Sequence, residues 1–205
     1  MIDMKMKNMT EKHIKKQIVE PITQIEPIIF DLDDFCESNH RLDLIFKLKE
    51  KNPELKINLF TIIGKCSIGW LNKIRQYNWI QLIPHGLYHN TSYEFSNYTY
   101  TQAIQYLQNI EPLGLIKGFK APGWQISDET YIALLEKGYW IADQSYNNYR
   151  RPKALKCYLL DSKPFIRIHG HIQNVCGNGL EEKYDFYKSL HGQFKFIDEI
   201  IPLKG

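Results

Sequence analysis

The sequence predicts an α/β protein built on parallel strands. Short apolar segments typical of buried strands alternate with segments in which apolar residues recur every three or four positions, as on one face of a helix. The 205 residues correspond to about one domain, and no repeat or linker divides them. Since alternating strands and helices form βα units, we expect a parallel sheet or barrel with functional groups at the carboxyl ends of its strands.

The predicted strands follow a polar N-terminal region. Residues 1–22 are rich in Met and Lys, and we expect a basic arm with a short helix over 10–19 that Pro21 ends. Residues 23–205 are expected to form one domain. Its first strand follows Pro27 and ends in three carboxylates, as a buried strand does where it emerges into a polar site. The other predicted strands are 55–63, 79–84, 116–122, 139–142, 157–160 and 165–169.

Four segments between these strands have helical spacing. In the clearest one, Ser127 is the predicted N-cap, Asp128 and Glu129 lie in the first turn, where the helix dipole favours negative charge, and Gly138 closes the end. The other three predicted helices contain Leu42, Ile45, Phe46 and Leu48; Ile68, Leu71 and Ile74 after a cap at Ser67; and residues 100–110.

Composition excludes several classes of protein. The net charge of +3 and pI of about 8.5 are too small for binding nucleic acid through phosphate contacts alone, and no apolar stretch is long enough to span a membrane. The N-terminus lacks the apolar core of a secretory signal, so a cytoplasmic location is expected. The four cysteines are scattered without a C-x-x-C pair, which predicts reduced thiols. No particular oligomeric state is indicated.

Two motifs could hold a metal ion. Asp33 and Asp34 are adjacent carboxylates that could bind a cation, take protons or cap the following turn. His85 and His89 are four residues apart and could face one ion if the backbone turns once between them. Gly86 stands where the H-E-x-x-H motif has its catalytic glutamate, which excludes that class of metalloprotease.

Two later motifs also follow predicted strands. The segment Lys120-Ala121-Pro122-Gly123-Trp124 is typical of a β-to-α loop and would leave Trp124 outside the core. The last predicted strand delivers His169 and His171 to its carboxyl end, where a lone histidine is more often a hydrogen-bonded core residue than a catalyst.

Taken in order, these motifs resemble those of the polysaccharide deacetylase family, carbohydrate esterase family 4. The matching segments are FDLDDF (30–35), HGLYH (85–89), KAPGW (120–124), WIADQS (140–145) and RIHGH (167–171). The resemblance spans the chain from Pro27 to the last strand. It implies a single distorted (β/α)7-type barrel and a hydrolase that removes an acetyl group from an N-acetylated sugar or a related small molecule. The substrate would be a small molecule or an oligosaccharide.

The resemblance also implies a role for each matching residue. Asp33 would be the general base, and Lys120 replaces the arginine that pairs with the base in the family. His171 or His169 would be the acid; His171 is preferred, with Asp143 as its partner. The remaining assignments are Asp34, His85 and His89 as ligands of one divalent metal ion, usually zinc, and Pro122, Trp124 and Tyr88 as substrate-binding residues.

Two alternatives remain open. The replacement of arginine by Lys120 favours a catalytically weak or inactive carbohydrate-binding homologue of the same fold. Gly86 is a second departure, since the family usually has Ser or Thr at that position. Two histidines and one carboxylate also bind iron in non-haem oxygenases, which usually have an all-β jelly-roll fold.

Overall fold

The computed structural model describes residues 26–142, 157–158, 165–175 and 177–200. The predicted arm 1–22 and the predicted acid partner Asp143 lie outside these ranges. The described strands are β1 (Ile28–Phe35), β2 (Ile57–Thr61), β3 (Ile80–Pro84), β4 (Gly118–Lys120), β5 (Trp140–Ala142), β6 (Cys157–Tyr158), β7 (Ile166–His171) and β8 (Phe194–Lys195). The described α-helices are α1 (Leu42–Lys51), α2 (Ile68–Ile74), α3 (Tyr100–Ile110), α4 (Asp128–Glu136) and α5 (Tyr184–Lys188).

The strands follow one another in chain order around the molecule. In one sheet, β3, β2, β1 and β7 pair in that order, and β8 joins the start of β1; in a second sheet, β4, β5 and β6 pair in that order. All of these ladders are parallel. A backbone hydrogen bond from Ile116 N to Leu82 O, 3.1 Å long, links the segment before β4 to β3. This is the strand order of a distorted (β/α)7 barrel, which confirms the predicted fold class.

The helices begin and end where their capping residues predict. The Ser67 Oγ accepts from Trp70 N at the start of α2, and the Ser127 Oγ accepts from Thr130 N at the start of α4. Gly138, just past the end of α4, has a φ of 78°, a conformation that favours glycine. The sequence did not predict α5 and β8, because segments this short are too brief to show a period. None of the described helices is long and apolar enough to cross a bilayer.

Strand β1 separates two cores. Its side chains alternate between the two faces: Phe30 and Leu32 pack in the cluster that contains Ile45 of α1, between the sheet and the outer helices. Ile29 faces the interior instead, in a cluster with apolar side chains from around the barrel: Phe60, Ile83, Trp140, Ala142, Phe165 and Ile197. Continuing this alternation, Asp31 and Asp33 follow Ile29 on the interior face. The barrel therefore has an apolar floor below a polar upper part, which is where the predicted site residues lie.

Candidate metal and catalytic site

Asp33 and Asp34 lie at an irregularity in β1. The register between β1 and β2 shifts between Leu32 and Phe35, and Asp34 has a φ of 66°, in the left-handed region. In a regular strand, adjacent side chains face opposite sides, but a bulge re-aims them. As a result, Asp34 Oδ1 lies 3.5 Å and Asp33 Oδ2 lies 3.9 Å from the same atom, the Nε2 of His85.

The two histidines of the second motif converge on Asp34. His85 follows β3 directly, and its backbone N–H donates to Thr61 O at 2.8 Å. Four residues later, His89 places its Nε2 3.3 Å from Asp34 Oδ1. The structure therefore brings Asp34, His85 and His89 together, with ligand atoms within 4.8 Å of one another.

This group fits a divalent cation. His85 donates from Nδ1 to the backbone oxygen of Lys120 at 2.9 Å, since a carbonyl can only accept, and this leaves the Nε2 lone pair facing Asp34. Gln173 Nε2 donates to the other carboxylate oxygen of Asp34 at 3.3 Å. One carboxylate oxygen and two imidazole nitrogens suit zinc, and three protein ligands leave a position open for water or substrate.

The loop that carries His89 is held by Glu94, which the sequence analysis did not single out. The carboxylate of Glu94 accepts the backbone N–H groups of Leu87, Tyr88 and His89 at 3.0, 2.8 and 3.2 Å. These contacts hold His89 at a φ of 50°, a backbone conformation that is uncommon for residues other than glycine. Glu94 thus orients a candidate ligand through the main chain.

Gly86 is required by the same loop. Its φ is 74°, and a Cβ at this position would lie 2.5 Å from Glu94 Oε2 and 2.6 Å from the Cγ of Pro122. A Ser or Thr, as the family usually has here, would collide with both neighbours. The departure from the family pattern therefore reflects the packing of Glu94 and Pro122 in this chain.

In Asp34 and His85, the effect of neighbouring charges on the pKa outweighs the effect of burial. Burial raises the pKa of Asp34, but the hydrogen bond and charge of His85, together with His89, outweigh it and lower the pKa to about 2. Burial lowers the pKa of His85, but the carboxylates of Asp33 and Asp34 outweigh it and raise the pKa above its ordinary value. Burial and the neighbouring His85 lower the pKa of His89. The carboxylates thus attract positive charge to their shared interior face.

Lys120 supplies a positive charge to Asp33. It ends β4, is fully buried, and donates from Nζ to Asp33 Oδ1 at 2.8 Å. The ammonium also lies 4.7 Å from the centre of the Phe60 ring. Burial raises the pKa of Asp33, but the charge of Lys120, followed by those of His85 and His169, outweighs it and lowers the pKa. Asp33 is therefore ionised, as a general base must be.

On β7, His169 and His171 differ in their partners. His169 lies opposite Asp31 in the β1–β7 register and shares a 2.7 Å hydrogen bond from its Nδ1 to Asp31 Oδ1, while its Nε2 lies 3.9 Å from Asp33 Oδ2. Among the described residues, His171 Nδ1 has no hydrogen-bond partner, and burial lowers the pKa of His171.

Asp31 and its second partner, Arg167, are site residues that the sequence reasoning missed. Arg167 donates to Asp31 from Nε at 2.7 Å and from Nη2 at 3.0 Å. The strand period of two residues was the available signal. Asp31 lies two residues before Asp33 on β1, and Arg167 lies two residues before His169 on β7, so each pair shares one face of its strand.

The three predicted substrate-binding residues have different surroundings. Trp124 has a φ of 58°, and its ring centre lies 6.4 Å from that of His169. Pro122 is buried and lies next to Gly86, whereas Tyr88 is 49% exposed. A cavity of about 150 Å³ is lined by the candidate ligands Asp34 and His89. Its other lining residues are Cys36, Ser38, Asn39, Ile62, Lys65 and Gln173.

No protein-family model matches the chain, and no curated protein sequence matches it. Solved structures do. A mutant of a CE4 family pseudoenzyme is 14% identical, with a TM-score of 0.57, covering 89% of this chain and 72% of that one. A family 4 acetyl xylan esterase from Clostridium thermocellum, in complex with a cobalt ion, is 12% identical, with a TM-score of 0.54 and coverage of 85% and 89%.

A third similar structure is the Xyl-CE4 domain of a multidomain xylanase from the hindgut metagenome of Trinervitermes trinervoides. It is 15% identical, with a TM-score of 0.53, and the match covers 85% of this chain and 88% of that domain. The fold of this chain is therefore that of the carbohydrate esterases of family 4, as its motifs predicted.

Proposed function

We propose that this chain is a metal-dependent deacetylase that hydrolyses the acetyl group of an acetylated saccharide. One observation carries the proposal: Asp34 Oδ1 lies 3.5 and 3.3 Å from the Nε2 atoms of His85 and His89, and a second carboxylate, Asp33, lies beside this group. A metal-binding triad next to a separate, ionised base is the arrangement that metal-assisted hydrolysis needs.

The residues of this chain divide the work of hydrolysis. Asp34, His85 and His89 would hold the cation, which when bound polarises an acetyl carbonyl and lowers the pKa of water. Asp33 takes a proton from the attacking water, and Lys120 keeps it charged and in place through the 2.8 Å ion pair. A histidine of β7 donates a proton to the leaving atom. We propose zinc as the cation, because the donor set is one oxygen and two nitrogens.

The proposed substrate class rests on the fold and on the cavity beside the cluster. Two of the similar structures are named as an acetyl xylan esterase and as a domain of a xylanase, and both act on polysaccharides by name. The cavity beside Asp34 presents the polar side chains of Ser38, Asn39 and Lys65, which can hydrogen-bond sugar hydroxyl groups. N-acetylated and O-acetylated saccharides both offer the required acetyl group.

The inactive homologue is the second candidate, favoured by the replacement of arginine by Lys120 and by the similarity to a pseudoenzyme. Against it, Lys120 still pairs with Asp33, and all three candidate ligands are present and converge. The parallel α/β fold gives the oxygenase alternative no support, because the oxygenases with these ligands are usually all-β proteins.

The test is metal analysis of the purified chain together with acetate release from N-acetylated and O-acetylated oligosaccharides. We expect one divalent ion per chain and release of acetate from at least one substrate. Asp33→Asn should retain the metal and lose turnover by about 100-fold or more, since general bases contribute on this scale. A chain that binds metal but releases no acetate from the whole panel would instead be a binding homologue.

A further inference from the structure

We infer that Asp31 is a positioning residue that makes His169, rather than His171, the acid of the reaction. This inference rests on the proposed function and extends it to a carboxylate that none of the family motifs assigns. Asp31 is fully buried on the interior face of β1 and accepts a 2.7 Å hydrogen bond from Nδ1 of His169.

Strand register brings the two residues together. Asp31 and His169 are direct partners in the parallel ladder of β1 and β7, and the next pair on the same face is Asp33 with His171. Because an ionised carboxylate can only accept, the hydrogen bond places the proton of His169 on Nδ1. The opposite nitrogen, Nε2, then lies 3.9 Å from Asp33 Oδ2 and has no hydrogen-bond partner among the described residues. That nitrogen is the one free to exchange a proton with a substrate next to the base.

Arg167 fixes the carboxylate in turn. Its guanidinium binds both oxygens of Asp31, at 2.7 and 3.0 Å, which prevents the carboxylate from rotating away from His169. Lys120 Nζ lies 3.8 Å from Asp31 Oδ1 as well. Burial raises the pKa of Asp31, but the charges of Arg167 and His169, with that of Lys120, outweigh it and lower the pKa well below its usual value. Asp31 therefore remains a charged acceptor throughout the working range of pH.

The same histidines could instead hold a second metal ion. Ligand atoms of Asp33, His169 and His171 lie within 4.8 Å of one another. Charge argues against this use. Three interior carboxylates face the cations of Lys120 and Arg167, which leaves one net negative charge. One divalent cation changes the net charge of these groups from −1 to +1. A second divalent cation would raise it to +3, with no further carboxylate among these groups to compensate it in a buried site.

The proton on His169 completes the reaction. Water adds to the acetyl carbonyl carbon and gives one proton to Asp33, while the carbonyl π electrons move to oxygen. The acid is the imidazolium form of His169, which carries a second proton on Nε2. When the carbonyl re-forms, the bond between the acetyl carbon and the nitrogen or oxygen of the sugar breaks, and its electron pair takes this Nε2 proton, which leaves the ring neutral with its proton on Nδ1. Acetic acid and the deacetylated sugar leave, and acetic acid releases its remaining proton to solvent as acetate. The proton on Asp33 passes through solvent to Nε2 of His169 and restores the imidazolium.

The experiment compares two leaving groups in the metal-loaded protein. A sugar amine or alkoxide needs a proton in order to leave, whereas the 4-nitrophenolate of 4-nitrophenyl acetate does not. We expect Asp31→Asn and His169→Gln to lower kcat/KM for the best acetylated saccharide by about 100-fold more than for 4-nitrophenyl acetate. The charge-balanced variant Asp31→Asn/Arg167→Gln should also lose more kcat/KM for the saccharide than for 4-nitrophenyl acetate. It replaces the single variant if Asp31→Asn folds poorly. His171→Gln should change both rates by the same factor.

A purely structural role for Asp31 would lower both rates equally, and that result would overturn the inference. It would also be overturned if His171→Gln discriminated between the substrates and His169→Gln did not. If the wild-type chain hydrolyses neither substrate, it is the proposed function that fails, and the acid role fails with it.

A second measurement needs no variant in the site. In the zinc-loaded wild-type chain labelled with ¹⁵N-histidine, the neutral ring of His169 should carry its proton on Nδ1 and have a free Nε2. A neutral ring of His169 that carries its single proton on Nε2, or a content of two metal ions per chain, would contradict the assignment.

Discussion

Asp34 and His89, whose Oδ1 and Nε2 atoms lie 3.3 Å apart, both have a left-handed backbone. Non-glycine residues rarely adopt this conformation, and where they do the surrounding structure must hold them. In this chain, a bulge holds Asp34 and the carboxylate of Glu94 holds His89. Two strained residues that meet at one point indicate a binding site, and this relationship leads to the first two predictions.

Replacing His89 should remove the metal. We expect His89→Gln to lower the bound divalent ion from about one per chain to near zero, because two ligands hold zinc far more weakly than three. Metal analysis after gel filtration measures the content. The matched control is His191→Gln at an exposed histidine, which should keep its metal. Full metal content in His89→Gln would show that the ion lies elsewhere.

Glu94 should tune metal affinity without contacting the ion. In Glu94→Gln, an amide with one oxygen replaces a carboxylate that accepts three backbone N–H groups, so the loop of His89 loses part of its support. We expect zinc to bind about 10 to 100 times more weakly, as when other groups that orient ligands are removed. Competition with a chromogenic chelator gives the affinity. The exposed Glu50→Gln is the control, and equal affinities for both variants would refute the role of Glu94.

Gly86 and Gly69 make a matched pair for testing backbone strain. At Gly86, an added Cβ meets Glu94 and Pro122 in a left-handed conformation, whereas at Gly69 in helix α2 it meets nothing within 4 Å. Gly86→Ala should therefore lower the free energy of unfolding by more than about 1 kcal/mol, and Gly69→Ala should raise it by roughly 0.5–1 kcal/mol. Urea unfolding measures both. Equal stabilities would mean that the loop can relax around a side chain.

Removing the charge of Lys120 should affect Asp33 more than the metal. Lys120→Met leaves the buried carboxylates of Asp33 and Asp31 without their shared cation, and losing one partner of a buried pair costs about 3–5 kcal/mol. We expect lower stability and lower turnover with the metal still bound, because the hydrogen bond from His85 goes to the main chain of residue 120. Lys120→Arg should keep more of both properties. Loss of metal in Lys120→Met would contradict this division of roles.

Stability should fall in acid in a way that depends on Asp31. Its pKa is lowered in the folded chain, so its contribution is complete above the unfolded pKa of about 4 and declines as the pH falls below that value. The difference in unfolding free energy between wild type and Asp31→Asn/Arg167→Gln should therefore be constant near neutral pH and shrink between about pH 4 and pH 2. Denaturant unfolding at a series of pH values tests it. A difference that grows in acid would mean that Asp31 is not ionised in the folded chain.

Much of this site could be predicted from the sequence, because short motifs at the carboxyl ends of predicted strands can be recognised from the sequence alone. The motifs around Asp34, His85 and Lys120 each follow a described strand directly or lie at its end. The spacing could not show that a bulge turns Asp33 and Asp34 toward the same imidazole, since a regular strand would separate them.

Asp31 and Arg167 were missed for a related reason. The number of residues between them says nothing about which strands are adjacent, and their contact exists only because β7 returns to lie beside β1. Glu94 was missed because its partners are backbone N–H groups, which carry no sequence signal.

The main chain and the side chain of residue 120 serve different partners, His85 and Asp33. A mutation there can alter only the side-chain half, since every amino acid brings the same carbonyl oxygen. One nucleotide change could therefore abolish the proposed deacetylation in a descendant of this chain while the proposed metal ion stays bound. Such a descendant could evolve into a protein that binds acetylated sugars without removing their acetyl groups.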